Sequence, residues 1–161
     1  MTIAVGDKIP DVEVFVLGED GGPKGTSSAE VLGSGKVVLF GVPGAYTPIC
    51  DKEHLPGFVE GAEALAGKGV EKIVCVAVND VWTLDAWAKA HGAGDKITML
   101  SDGNATLAKA MGLEFDLAAV GLGVRNRRFA AVIDDGIITH LEVSPDAGVH
   151  TSSCAVTLAA I

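Results

Sequence analysis

Val37-Val38-Leu39-Phe40-Gly41-Val42-Pro43-Gly44-Ala45-Tyr46-Thr47-Pro48-Ile49-Cys50 passes from one kind of backbone to another within fourteen residues. Its first part, inside Lys36 to Val42, is a nearly unbroken apolar run of the kind found in a strand covered on both faces, which places it centrally in a sheet. Its last part offers Thr47, a good helix-capping type, and Pro48, suited to the first helical position, so Cys50 falls in the first turn of a helix.

Upstream, Glu13 to Leu17 reads as a short strand, Gly18 to Gly25 as a turn, and Thr26 to Leu32 as a short helix capped by its Thr and Ser residues. Downstream, Leu55, Phe58, Val59, Ala62 and Leu65 have helical spacing. Pro56 lies among them, removes a main-chain hydrogen bond and clashes with the preceding turn, so a distortion is expected near Leu55. Lys72 to Val78 and Ile97 to Leu100 read as strands, Val81 to His91 and Ala105 to Met111 as helices. Phe129 to Ile133 and Ile137 to Val143 flank Asp134-Asp135-Gly136, a hairpin signal, and Ser152 and Ser153 are placed to cap a last helix. Parallel βαβ crossovers followed by an antiparallel hairpin imply an α/β protein with a mixed sheet, helices on both faces and an N-terminal strand extension, as in thioredoxin-like folds. Element order alone leaves flavodoxin-like arrangements open.

At 161 residues the chain has the size of one ordinary domain, and residues 1–161 are expected to form one. Apolar residues are 48% and charged residues 20% of the chain, a globular balance. The net charge of −9 and pI near 4.7 repel phosphate backbones and anionic lipid, which argues against nucleic acid and membrane partners. Met1 to Leu17 is interrupted by Gly6, Asp7, Lys8 and Pro10 and lacks the layout of a secretory signal, so a cytoplasmic location is expected. Three cysteines, Cys50, Cys75 and Cys154, are too few and too widely spaced for a disulfide framework or a zinc site. His91, His140 and His150 have no metal-ligand spacing and read as ordinary surface or loop residues. No cofactor or metal is expected.

The first turn of a helix matters to a sulfur. Unpaired N–H groups and the positive end of the helix dipole favour thiolate over thiol there. A thiolate attacks a peroxide oxygen, giving sulfenic acid on the protein and releasing water or an alcohol. Charge builds on the departing oxygen, so donors must already be aimed at it. The Thr47 hydroxyl can lie over the same pocket, and Arg125, Arg127 and Arg128, just before the Phe129 strand, can supply a permanent cation.

These residues resemble the peroxiredoxins. Pro43-x-x-x-Thr47-x-x-Cys50 matches that family's active-site pattern. The run from Gly41 to Pro48, with Lys52 and His54-Leu55-Pro56-Gly57-Phe58, is similar to the type II, or peroxiredoxin-5, branch. Val78-Asn79-Asp80, Ala86-Trp87, Ser101-Asp102-Gly103 and Arg125-x-x-Arg128-Phe129-Ala130 extend the likeness almost end to end. The resemblance implies a thiol-dependent peroxidase for hydrogen peroxide and small alkyl hydroperoxides. Cys50 would be the peroxidatic cysteine, Thr47 its hydroxyl partner, Pro43 a shield against water and Arg128 the catalytic arginine; Thr47, Arg128 and Pro43 would also contact the substrate. Arg125 matches a frequent second arginine, and His54 a histidine near the pocket. A homodimer is implied too. Ile49 departs from the usual small residue and narrows the pocket mouth. Asp51 stands where serine is common, and its carboxylate opposes a thiolate unless it points away.

Cys75, inside Ile73-Val74-Cys75-Val76-Ala77, reads as a buried strand residue, although plant-like members of the branch carry a cysteine here that is a proposed resolving residue. Cys154 lies near the resolving cysteine of animal-type members, but its spacing from Pro145 fits a Ser-Ser-Ala pattern better. Both are carried as candidates for a resolving role, with an external thiol, glutathione with glutaredoxin or thioredoxin, as the expected reductant. Competing readings are a dithiol oxidoreductase, disfavoured because Thr47 occupies the earlier position of Cys-x-x-Cys, and a thioredoxin-fold peroxide sensor relaying oxidation to a partner protein. Trp82 and Trp87 are expected to pack their helix onto the sheet.

Overall fold

In the computed structural model, which describes residues 1–146 and 148–161, the chain runs β1 (Glu13–Leu17), β2 (Pro23–Ser27), α1 (Ser28–Leu32) and β3 (Lys36–Gly41). A π-helical turn (Cys50–His54) continues into α2 (Leu55–Gly67), followed by β4 (Lys72–Ala77), α3 (Val81–Ala90), β5 (Thr98–Ser101) and α4 (Thr106–Met111). Then come β6 (Glu114–Asp116), a 3-10 turn (Ala118–Val120), β7 (Val124–Asn126), β8 (Phe129–Asp134), β9 (Ile137–Val143) and α5 (Cys154–Ala159).

The main sheet has seven strands in the order β2-β1-β5-β4-β3-β8-β9. β3, β4 and β5 are parallel, while β8, β9, β1 and β2 join antiparallel. This is the mixed, thioredoxin-like sheet that the order of elements implied, and β3 lies inside it between β4 and β8. The unbroken apolar run of β3 has a direct cause. Because successive side chains alternate across a strand, Val38 and Phe40 enter one core while Val37 and Leu39 enter the other. The first core lies under α2 and α3 and is filled by Leu55, Phe58, Leu65, Leu84 and Trp87; the second holds Leu32, Leu107 and Met111 from α1 and α4.

The α2 helix is seated on the sheet by Phe58, whose ring stacks on Phe40 with centroids 4.2 Å apart and planes 7° apart. Burying such a ring contributes about 2–3 kcal/mol, and this contact fixes where the turn ahead of α2 can lie. The distortion expected near Leu55 is a π turn: Leu55 N–H donates to the Cys50 carbonyl, one residue further back than in an α-helix. Pro56, having no N–H, then enters α2 at its first turn, where none is needed.

The hairpin of β8 and β9 forms around Asp135 and Gly136, both with positive φ, and Ser153 caps α5 by accepting from Val156 N–H at 3.2 Å. Two expectations are corrected. The turn read from residue 18 to 25 ends earlier: Pro23 opens the edge strand β2, paired Leu17 to Pro23 and Phe15 to Gly25, and an edge position tolerates the missing N–H. Trp82 does not pack the sheet; it is half exposed and donates to the Gly21 carbonyl at 2.8 Å, whereas Trp87 is fully buried. The pair β6 and β7 went unforeseen, since three-residue strands carry too little alternation to register.

Candidate active site

Beyond β3 the chain climbs through Pro43 and Gly44 into the start of the Cys50 helix. Ala45 N–H donates to Asn79 Oδ1 at 2.9 Å, tying this loop to the end of β4. Tyr46 takes a left-handed conformation with φ 63°, which turns the backbone into the helix. Helical residues begin at Pro48, and Asp51 N–H donates to Thr47 O at 2.8 Å. Among the described residues the preceding N–H, that of Cys50, has no backbone acceptor. The expected capping hydroxyl behaves differently: Thr47 Oγ1 donates to Gly44 O at 2.6 Å rather than accepting from the helix, because the tight turn brings that carbonyl within reach first.

Cys50 is 0% exposed. Arg128 Nη2 donates to its Sγ at 3.1 Å, across a separation of 78 residues. The guanidinium, itself buried, donates through Nη1 to His54 Nδ1 at 3.0 Å. Arginine carries no acceptor, so Nδ1 must hold a lone pair and the ring proton lies on Nε2, which donates to the Ser152 carbonyl at 2.9 Å. Burial, reinforced by the Arg128 charge, pushes His54 down to about 3 against the partial support of the Ser152 bond. A neutral imidazole therefore aims the guanidinium without cancelling its charge, as a carboxylate there would.

The residues just ahead of Cys50 border a cleft of about 420 Å³, lined by Pro43, Thr47, Pro48, Ile49, Phe115 and Leu122 among others, with Arg127, Arg128, Ser144 and Asp146 as further polar members. Phe115 belongs to β6, and Leu122 to the connection leading to β7, so the unforeseen hairpin supplies one wall. Arg125 does not reach the sulfur. Its Nε donates to Leu122 O at 2.8 Å and its Nη1 to Pro43 O at 3.2 Å, bracing the two sides of the cleft.

The Asp51 carboxylate is taken up by donors at the end of α3. Its Oδ1 accepts from Trp87 Nε1 at 2.9 Å and from His91 Nε2 at 2.7 Å, and these bonds, His91 first, hold the carboxyl below its ordinary range. His91, expected to be an ordinary surface residue, is thus engaged; the i, i+4 spacing of Trp87 and His91 puts both on one face at the end of α3 and was the available signal.

All three cysteines are free and buried. Cys75 sits opposite Phe40 in the β3–β4 register, and burial first, then the nearby Cys50 sulfur, pushes its thiol well above the ordinary range. Cys154 packs its sulfur against α2 at Gly61, and burial pushes its thiol up to about 11. Among the described residues no His, Cys, Asp and Glu cluster suited to a metal occurs, and no helix is long and apolar enough to cross a membrane.

The Redoxin family model matches residues 4–157. The chloroplastic Peroxiredoxin-2E-2 of Oryza sativa subsp. japonica is 46% identical, over 99% of this chain and 73% of that protein. The chloroplastic Peroxiredoxin-2E of Arabidopsis thaliana is 43% identical, over 96% of this chain and 67% of that protein. Among solved structures, reduced Prx3 in complex with hydrogen peroxide from Vibrio vulnificus superposes with a TM-score of 0.93 at 40% identity, covering 99% of each chain. The expectation of a cytoplasmic location is overturned by the first two matches, which are chloroplastic proteins. It rested on the absence of a secretory signal, a feature that does not separate cytosol from organelle.

Proposed function

The chain belongs to the peroxiredoxin family, in its type II, peroxiredoxin-5-like branch, and is a thiol-dependent peroxidase; from that premise we propose that Cys50 is the peroxidatic cysteine, Arg128 the catalytic cation, Thr47 the hydroxyl that receives the peroxide and Pro43 the wall that keeps water from the sulfur. The observation that carries this reading is the 3.1 Å bond from Arg128 Nη2 to Cys50 Sγ beside the cleft.

In the first step the ionised sulfur attacks the terminal oxygen of HO–OR. An S–O bond forms as the O–O bond breaks, leaving Cys50–SOH, and the departing RO⁻ takes a proton to become water or an alcohol. Arg128 balances charge on the sulfur before the step and on the two oxygens during it, where preorganised donors are most effective. Because Gly44 O holds the Thr47 hydroxyl hydrogen, the lone pairs of Oγ1 are left to accept the peroxide O–H, which orients the reacting oxygen toward the sulfur. The unpaired Cys50 N–H offers a further donor at the same place. The apolar wall of Pro43, Pro48, Ile49 and Phe115 suits hydrogen peroxide and small alkyl hydroperoxides.

We assign neither Cys75 nor Cys154 a resolving role: both are buried and packed against α2 or the sheet, with thiols pushed upward. An external thiol, glutathione with glutaredoxin or thioredoxin, then recycles Cys50. A homodimer is proposed from the family likeness, and a plastid compartment from the chloroplastic relatives. The decisive experiment is stopped-flow peroxide consumption with a thiol reductant. Wild-type protein turns over and Cys50→Ser does not; equal rates would end the assignment. Mass spectrometry after one equivalent of peroxide is expected to show Cys50 sulfenic acid, and a rapid internal disulfide would overturn the one-cysteine reading.

A further inference from the structure

A buried sulfur serves two reactants of unequal size. Hydrogen peroxide is little larger than water and needs little more than the cleft whose Arg128 touches the Cys50 sulfur. A thiol must instead bring its own sulfur, and the carbon chain behind it, into line with the S–O bond of the sulfenic acid. With Cys50 0% exposed, that approach requires the turn carrying it to open. Whatever fastens this turn therefore acts differently on the two halves of the cycle.

The fastening visible outside the Arg128 network is Asp51. It is the residue after Cys50, in the same π turn, and its Oδ1 collects Trp87 Nε1–H at 2.9 Å and His91 Nε2–H at 2.7 Å. Trp87 stands on α3 and His91 caps its C-terminal end, and the Trp87 ring is immobilised by complete burial. His91 packs edge-on against that ring, centroids 6.1 Å apart, and Tyr46 lies on it from the loop ahead of Cys50, at 6.4 Å. One carboxylate oxygen thus joins the Cys50 turn to a helix that shares no covalent neighbour with it.

We propose that Asp51, held by Trp87 and His91, is a positioning residue that latches the Cys50 turn closed and so sets the rate at which a thiol reaches the sulfenic acid. This rests on Cys50 being the peroxidatic cysteine. In the latched state the peroxide step proceeds. When the turn opens, a thiol RSH attacks Cys50–SOH: an S–S bond forms, the S–O bond breaks, and the oxygen leaves as water with the thiol's proton. A second RSH then displaces Cys50, giving RSSR and the reduced enzyme, so two thiols are oxidised for each peroxide reduced. A turn that stays latched keeps the sulfenic acid beside Arg128, open to a second peroxide but not to a thiol, and so to sulfinic acid formation.

The test uses the full-length protein with hydrogen peroxide and glutathione as probes, measuring each half-reaction separately by stopped flow and sulfinic acid by intact mass. Asp51→Ala is expected to raise the ratio of the glutathione rate constant to the peroxide rate constant about tenfold and to lower sulfinic acid formed at excess peroxide. Asp51→Asn, whose amide oxygen still accepts from both donors, restores much of the wild-type ratio, and His91→Ala gives a partial shift in the same direction. If Asp51→Ala alters both rate constants by the same factor, or neither, the latch is refuted. Should Asp51→Ala fold poorly, the comparison of His91→Ala with wild type decides in its place, an unchanged ratio refuting the latch. Cys50→Ser separates this outcome from failure of the underlying assignment, because a Cys50→Ser protein that still consumes peroxide refutes the assignment itself.

Discussion

Replacing Arg128 by Met keeps an unbranched side chain and removes the guanidinium that lies 3.1 Å from Cys50 Sγ. With the charge spread over the guanidinium, the effective separation is about 4 Å, and at an effective dielectric of about 20 the interaction is about 4 kcal/mol. Removing one member of a buried charged pair costs about 3–5 kcal/mol by an independent route, so the two figures agree. Measured from the protonated enzyme, both the ionised sulfur and the transition state lose this support. At about 1.4 kcal/mol per decade the rate constant with hydrogen peroxide falls about 100- to 1000-fold. Arg128→Lys keeps the charge but not the planar fork that spans Sγ and His54 Nδ1, and is expected to lose about tenfold. The assay is stopped-flow tryptophan fluorescence under pseudo-first-order peroxide, with near-ultraviolet circular dichroism to confirm native packing. A loss below tenfold in a natively packed Arg128→Met protein would refute the electrostatic reasoning.

Three more outcomes are expected. His54 is held neutral down to about 3 in the fold but protonates near 6.5 once unfolded, so its contribution is intact above pH 6.5 and drains away as pH falls below it; the loss is about 1.5 kcal/mol between pH 6.5 and about pH 5. Urea denaturation of wild type and His54→Asn should show that slope in the first protein and not in the second. Gly61→Ala places a methyl group on the Cys154 sulfur and is expected to cost about 1–3 kcal/mol, with Cys154→Ala on the same background restoring the melting temperature; no restoration would mean that Cys154 is not the obstructing group. Cys75→Ser and Cys154→Ser are each expected to retain turnover with an external thiol, and loss of turnover in a folded protein would reinstate that cysteine as a resolving residue.

What could be read without coordinates is what depends on near neighbours in the chain. The unbroken apolar run from Val37 to Phe40 required a strand buried on both sides, Thr47-Pro48 required a helix start, and Pro56 required irregularity just before it, because hydrophobic pattern, propensity and proline geometry act over a few residues. Those signals sufficed for a mixed α/β sheet and for Cys50 in the first helical turn, while the choice of a thioredoxin-like over a flavodoxin-like arrangement came from the family resemblance. Folding decided the partners. Arg125, Arg127 and Arg128 are equivalent as residue types, yet strand pairing sends Arg128 to the sulfur and Arg125 to the Pro43 carbonyl. Asp51, whose carboxylate opposes a thiolate on the sequence alone, is engaged instead by Trp87 of α3 and His91 at its end. The cleft wall from β6 and β7, and the seating of Cys154 on Gly61, belong with these. Each joins residues tens of positions apart, so each is set by sheet register and helix packing, where a few ångströms decide which groups meet and no local rule can reach.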